Sequence, residues 1–232
     1  MLLEFKTQNY KSFVEEASFS MVAAPKQKGL DYSLMKTKIK GKEIKGLSSS
    51  VIYGPNAAGK TNIIGAMDVL RAIVLRGNIR NSEEKSSPNP AAAALELIPN
   101  NNEMESKPVC FEIEFYEEDG EDHKFKIHYK LKIDLGTFLE EEYQRKILAE
   151  VLEVNGERIF ERKEDLKVEN LKVIKDYLSD ITKQNAGSIN EIAKNSLNQE
   201  ELFLTNGFKL IFSPKFTKLI VDWFANKFMV IY

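Results

Sequence analysis

The sequence predicts an α/β fold: a strand, a phosphate-holding loop and a helix, followed by an inserted antiparallel β lobe and a set of helices. Three observations predict it. Residues 54 to 61 read Gly54-Pro55-Asn56-Ala57-Ala58-Gly59-Lys60-Thr61, a complete G-x-x-x-x-G-K-[ST] spacing. An apolar run stands directly before that loop, and apolar residues recur at helical spacing directly after it. Further along, alternating segments meet at turn-rich joints, the pattern of hairpins with one buried face.

The loop's residue types answer one physical problem, the holding of a polyphosphate. Gly54 and Gly59 let the backbone turn tightly, so that successive N–H groups face inward as an anion nest. The helix that follows sets its positive dipole end under the phosphates. Lys60 supplies a point charge for the β and γ oxygens, and the Thr61 hydroxyl is the expected Mg²⁺ ligand. The context agrees with the mechanism. Leu47 and Val51-Ile52-Tyr53 read as a short buried strand. Ile63, Ile64, Met67, Leu70, Ile73 and Val74 mark one helix face, and Gly77 is the stop. ATP with Mg²⁺ is the expected ligand. A guanine-selecting Asn-Lys-x-Asp is not present, since Asn226-Lys227-Phe228-Met229 lacks the aspartate.

Composition bounds the remaining classes. The 232 residues are 43% hydrophobic and 29% charged with a net charge of −2, so bulk charge gives no reason to expect nucleic-acid binding. No apolar stretch reaches the roughly 18 residues of a membrane span. The charged, alternating start Met1-Leu2-Leu3-Glu4-Phe5-Lys6 is no signal peptide. A single cysteine, Cys110, suits a reducing compartment, and a cytoplasmic location is expected. Cys110 itself reads as a small packed side chain.

Residues 2 to 10 and 13 to 23 read as two strands joined at Tyr10-Lys11-Ser12. Between 26 and 45 stand Lys26, Lys28, Lys36, Lys38, Lys40, Lys42 and Lys45 against Asp31 and Glu43. The every-second-residue repeat of Lys36, Lys38, Lys40 and Lys42 would place them on one strand face. That face is either an edge guarded against aggregation or a contact for phosphate or nucleic acid. Asn78 to Ala94, with Ser86-Ser87-Pro88-Asn89-Pro90 and an alanine run, reads as a flexible connector. Beyond it Phe111, Ile113 and Phe115 pair with Phe125, Ile127, Tyr129, Leu131 and Ile133 across the acidic turn Glu117 to Asp122. A second hairpin turns at Asn155-Gly156. Leu171, Ile174, Tyr177, Leu178 and Ile181 mark an amphipathic helix. Ser213-Pro214 opens another, with Phe216, Leu219, Ile220, Trp223 and Phe224 inside. The run Phe228 to Tyr232 reads as a strand cut off in mid-fold.

Other constellations weigh less. Leu219-Ile220-Val221-Asp222 imitates a strand ending in a metal-binding aspartate, but its periodicity is helical and Asp222 reads as exposed. Glu140-Glu141-Glu142 reads as a solvated face. His123 and His128, five apart on one strand, would face opposite ways and cannot share a metal.

The opening Leu3-Glu4-Phe5 with Asn9-Tyr10-Lys11-Ser12-Phe13, the loop Tyr53 to Asn62, and the strand-rich stretch behind it resemble a known group. This is the N-terminal half of ABC-type ATPases of the RecF/SMC-like and OLD-like branch, prokaryotic proteins often named AAA family ATPases. The resemblance covers nearly the whole chain. It implies an ATPase head that binds ATP at Gly54 to Thr61 and Asn62, with Lys11 and Ser12 near the nucleotide. It also implies that two heads sandwich two ATP molecules, and that a nuclease or toxin partner acts beside them in DNA maintenance or phage defence. The signature motif, the Asp-Glu pair and the switch histidine of that group are not found here; they belong to its C-terminal half. Catalytic residues therefore stay unassigned, and binding with little hydrolysis is expected of these residues alone.

The resulting division is residues 1–77 for the N-terminal strands, loop and first helix, 78–94 for the connector, 95–165 for the β lobe, and 166–232 for a helical segment ending in an incomplete strand. Two rivals remain beside the ATPase head. One is a scaffold module that senses nucleotide without hydrolysis. The other is a small P-loop kinase, which would need an arginine-rich lid that is not apparent.

Overall fold

A computed structural model describes residues 1–24, 29, 31–80, 95–101, 107–137, 143–184, 186–195 and 197–229. Its strands in chain order are β1 (Leu2–Gln8), β2 (Ala17–Ser20), β3 (Leu34–Ile39), β4 (Lys42–Leu47), β5 (Val109–Glu118), β6 (Lys124–Asp134), β7 (Lys146–Val154), β8 (Glu157–Arg162) and β9 (Leu166–Val168). Seven of them form one sheet in the order β2-β1-β5-β6-β7-β8-β9, while β3 and β4 make a separate hairpin. Every pairing in the sheet is antiparallel.

Period-two patterning explains the sheet. Leu3 and Phe5 of β1, Phe111, Ile113 and Phe115 of β5, and Phe125, Ile127, Tyr129, Leu131 and Ile133 of β6 all point to one face and are buried. The other face is charged and paired across strands, with Glu112 opposite Lys130 and Glu114 opposite His128. Asn155 and Gly156 both take positive φ, 55° and 83°, the two-residue turn expected between β7 and β8.

Helices cover the apolar face. α1 (Lys60–Arg76) ends where Gly77, at φ 75°, donates its N–H to the Ile73 carbonyl at 2.9 Å. After α2 (Asp180–Gln184) and α3 (Ala186–Asn195) comes a π-helix, Leu204–Phe212, and then α4 (Pro214–Asn226). The Ser213 hydroxyl accepts from the Phe216 N–H at 3.2 Å, capping α4 as its sequence predicts. Phe216, Ile220, Trp223 and Phe224 of α4 are buried, and the Trp223 ring stacks on Phe115 of β5 with centroids 3.8 Å apart. Burying each such ring contributes about 1.5–3 kcal/mol. Arg71 of α1 donates to the Phe224 and Ala225 carbonyls at 2.9 and 3.3 Å, so α1 is tied to α4 and through it to the sheet.

The π-helix has its own support. Its wide turns show in the Phe208 N–H donating to the Phe203 carbonyl at 2.7 Å and the Ser213 N–H to Phe208 at 2.9 Å. The fully buried Glu150 carboxylate meets its start, accepting from the N–H groups of Phe203 (2.6 Å) and Leu204 (2.9 Å) and from the Tyr129 hydroxyl (2.9 Å). Arg162 lies 3.9 Å from Glu150 and donates to the Glu201 and Asn198 carbonyls. Burial pushes the Glu150 pKa up, against the pull of these donors.

Five expectations are corrected. Val51-Ile52-Tyr53 is not a buried strand: the run has no ladder partner, and Val51 and Tyr53 are 80% and 90% exposed. A strand needs neighbours to satisfy its backbone, and every sheet strand described here is already paired with others. Lys36, Lys38, Lys40 and Lys42 do not share one face, because the chain reverses at Lys40-Gly41 and Lys42 opens β4. Residues 171 to 181 do not make one helix. A 3-10 segment, Leu171–Tyr177, is kinked at Ile174 and ends at the extended Leu178, leaving Ile181 exposed on α2. His123 lies in the turn before β6 rather than on the strand with His128. The segment after 165 also contains β9, which extends the sheet.

The sheet joins strands of segment 1–77 to those of 95–165, since β1 pairs directly with β5. Lys26 and Lys28, residues 81–94 of the connector, Glu140-Glu141-Glu142 and the final Val230 to Tyr232 lie outside the described residues.

Candidate functional site

The glycine loop sits in the open at the head of α1, and Pro55 to Ala58 are all exposed. Ala57 and Gly59 take positive φ, 63° and 81°, with Ala58 between them, so the backbone curls in the alternating manner of a nest. One internal bond closes the curl, from the Ala58 N–H to the Pro55 carbonyl at 3.3 Å. Among the described residues, the N–H groups of Asn56, Ala57, Gly59, Lys60 and Thr61 donate to no other group. These five donors lie at the positive end of a 17-residue helix, the kind of position that favours an anion.

Lys60 folds back over this cradle. Its ammonium donates to the Gly54 and Pro55 carbonyls at 2.8 and 2.6 Å, a reach that puts the charge across the mouth of the loop. Thr61 is exposed in the first turn, its hydroxyl bonded to nothing among the described residues, so it fits one ligand position of a Mg²⁺ ion. No carboxylate pairs with Lys60 or Thr61 among the described residues.

The turn after β1 abuts the loop. Ser12 comes to it directly: the Asn62 side-chain amide donates to the Ser12 hydroxyl at 2.6 Å. A Cβ on Gly59 would lie 3.0 and 3.1 Å from the Phe13 ring and 3.4 Å from Ser12 Oγ, so the positive φ favours glycine there and a side chain would also press the Phe13 ring aside. Lys11 lies further along. Its ammonium flanks Gly65, in the second turn of α1, and pairs with Glu96 at 2.5 Å. Lys11 is therefore not aimed at the loop mouth as Lys60 is. Nearby Asp68 has its pKa raised by burial and by Glu96, with Arg71 opposing.

Phe13 belongs to the motif that carries the resemblance but had no role assigned from it; Glu96 and Asp68 carry no local signal.

Other clusters lie elsewhere. Asp119, Glu121 and His123 bring ligand atoms within 4.8 Å of one another at the β5–β6 turn. Since Gln8 at the end of β1 pairs with Cys110 and Asp119 lies nine residues further along β5, that turn is roughly 30 Å from the Gln8 end of β1. Tyr177 and the N–H groups of Glu121 and His123 already bond Asp119 and hold its pKa low against burial. On the charged face of the sheet a hollow of about 390 Å³ is lined by Lys6, Cys110, Glu112, Lys130, Lys132 and Arg158. Burial pushes the Cys110 thiol pKa up, which disfavours its nucleophilic form.

Residues 49–205 match the family model for an AAA domain described as putative AbiEii toxin, Type IV TA system. The match spans more than half of the chain and contains the whole glycine loop. The chain belongs to this AAA-domain family. It thus carries a P-loop AAA-type domain of the nucleotide-binding ATPases, in a mixed α/β fold whose sheet is antiparallel. No curated protein matches the chain. No helix among the described residues is long and apolar enough to cross a membrane.

Proposed function

We propose that the chain is the ATP-binding part of an ATPase head of the ABC/RecF-like and OLD-like type. The observation that carries this reading is the set of five N–H groups at the start of α1 that have no partner among the described residues, beside a Lys60 ammonium held only by the Gly54 and Pro55 carbonyls. The phosphates of ATP would take those donors, Lys60 would leave its carbonyl partners for the β and γ oxygens, and Thr61 would hold Mg²⁺. Mg²⁺, when bound at Thr61, would supply positive charge for the phosphates. Ser12 and Asn62 would stand behind the first turn of α1, with Lys11 further along the helix. Residues 1–77 serve as the ATP-binding core and 95–165 as the β lobe, on the proposed division.

Hydrolysis needs acidic residues beside Thr61, and these would come from a further segment or a partner chain in a head-to-head dimer. The family description's wording of a toxin in a Type IV TA system favours a toxin partner; a nuclease partner, and a setting in DNA maintenance or phage defence, belong to the proposal without that support. A nucleotide-sensing scaffold is the second reading, favoured by the lack of any carboxylate paired with Thr61 among the described residues.

Titration of the purified chain with ATP, with and without Mg²⁺, tests the reading. We expect binding that tightens with Mg²⁺, loss of that tightening in Thr61→Ala, and turnover far below the ~1–100 s⁻¹ of kinases. Binding indifferent to both Mg²⁺ and Thr61 would contradict the assignment. Rapid turnover would show that the catalytic set is complete within the chain and sink the shared-site account.

A further inference from the structure

Most helices satisfy their first N–H groups with a capping Ser, Thr, Asp or Asn just before the first turn. α1 does not. Its cap position is Gly59, which offers no side chain, and the first N–H groups stay free. A cap of the usual kind would occupy the donors that a phosphate needs. Something else must hold the first turn, because helix ends with unbonded groups fray.

The brace comes from fifty residues away. The Asn62 side chain, in the first turn, donates to Ser12 Oγ at 2.6 Å, while its own backbone N–H returns to the Gly59 carbonyl at 3.0 Å. Beside it the Phe13 ring lies in the space that a Cβ of residue 59 would approach, to 3.0 Å. The Ser12 turn is itself anchored. The Phe13 N–H donates to the Tyr10 carbonyl at 2.9 Å and the Lys11 N–H to the Ile98 carbonyl at 2.9 Å. Asn100 adds two bonds, from its N–H to Asn9 at 3.2 Å and from its side-chain amide to the Lys11 carbonyl at 2.6 Å.

We propose that Ser12 and Asn62 are a positioning pair: their side-chain bond stands in for the missing cap and stiffens the first turn of α1 while leaving its N–H groups free for phosphate. The pair acts through the loop and not by touching nucleotide. This inference rests on the ATP-binding reading.

The test is a double-mutant cycle on MgATP affinity with Ser12→Ala, Asn62→Ala and the double variant, with thermal unfolding measured on each. One neutral hydrogen bond sets the scale, so each single change should weaken binding about three- to tenfold. The double change should cost no more than either single, because both remove the same bond. Melting temperatures should stay near that of the parent. Ser12→Thr, which keeps the hydroxyl, should bind within about twofold of the parent. Additive losses would mean two separate contacts with nucleotide and overturn the pair, as would unchanged affinity in either single variant. If Asn62→Ala fails to fold, the contrast between Ser12→Ala and Ser12→Thr decides: weak against normal supports the pair, equal affinities overturn it. A parent chain that binds no MgATP would overturn this inference together with the reading beneath it, whereas normal parent binding with unaffected variants would overturn the inference alone.

Discussion

The glycine-loop corner and the charged face of the sheet are built on opposite terms. On the sheet, charges find partners within the chain. Glu112 takes Nε2 of His128 at 2.7 Å, Glu153 takes Nδ1 at 3.0 Å, and Lys6 and Lys130 flank Glu112. At the loop, five N–H groups and the Thr61 hydroxyl have no partner among the described residues, and the Lys60 ammonium has only carbonyls. Folding meets the charges of the sheet and leaves the donors of the loop unmet. Unmet donors in a rigid frame are therefore a better guide to function than the density of charge.

The contrast breaks most severely at Glu150, where folding alone supplies every partner. Glu150→Ala would strand the Phe203 and Leu204 N–H groups and the Tyr129 hydroxyl in the interior and leave the Arg162 guanidinium, still on the Glu201 and Asn198 carbonyls, without its carboxylate. We expect a loss of about 3–5 kcal/mol in urea unfolding followed by Trp223 fluorescence. A loss under about 1 kcal/mol would mean that the cluster does not hold the π-helix.

His128 offers a smaller, pH-dependent break. The hydrogen bond from His128 drives Glu112 down to about 2 against the opposing effect of burial. Burial lowers the His128 pKa, but the bonds to Glu112 and Glu153 outweigh it and the net shift is upward. A raised histidine contributes fully below its ordinary 6.5 and loses that contribution as pH climbs through its folded value. A depressed Glu112 contributes fully above its ordinary 4.5 and loses it as pH falls towards 2. The pair is thus worth most between pH 4.5 and 6.5. His128→Gln should cost about 1–3 kcal/mol in that window and progressively less in more alkaline buffer. A cost that is flat with pH would show that the bridge is not ionic.

Gly59→Ala sharpens the comparison from the loop side. The φ of 81° and the Phe13 ring both oppose a Cβ, so about 1–2 kcal/mol of stability should go. MgATP affinity should fall further than stability does, since the nest must deform. An equal effect on both would mean that the loop's shape matters only to folding.

Legibility in the sequence followed the same division. Elements fixed by local rules were readable: the alternating hairpins, the Asn155-Gly156 turn, the Ser213 cap, and α1 with its Gly77 stop. The glycine loop itself was readable because its chemistry is packed into eight consecutive residues. Tertiary context decided the rest. Val51 to Tyr53 have strand composition but no strand beside them, and residues 171 to 181 have helical spacing but break at Leu178. Lys40 sits at positive φ, 46°, in a tight reversal that its lysine-rich surroundings conceal. Ser12 and Asn62 stand fifty positions apart, so their bond had no local trace, although both were drawn to notice through the resemblance.

The most direct measurement is MgATP binding by calorimetry to the chain and to Lys60→Ala, with thermal unfolding of both. Lys60 is half-buried, but its bonds to the Gly54 and Pro55 carbonyls are open to water, which can replace them, so its loss should change stability by no more than about 0.5 kcal/mol. We expect measurable binding by the parent and none by the variant at an unchanged melting temperature. Equal affinity in the two proteins would contradict the claim that this loop is where the chain meets its nucleotide.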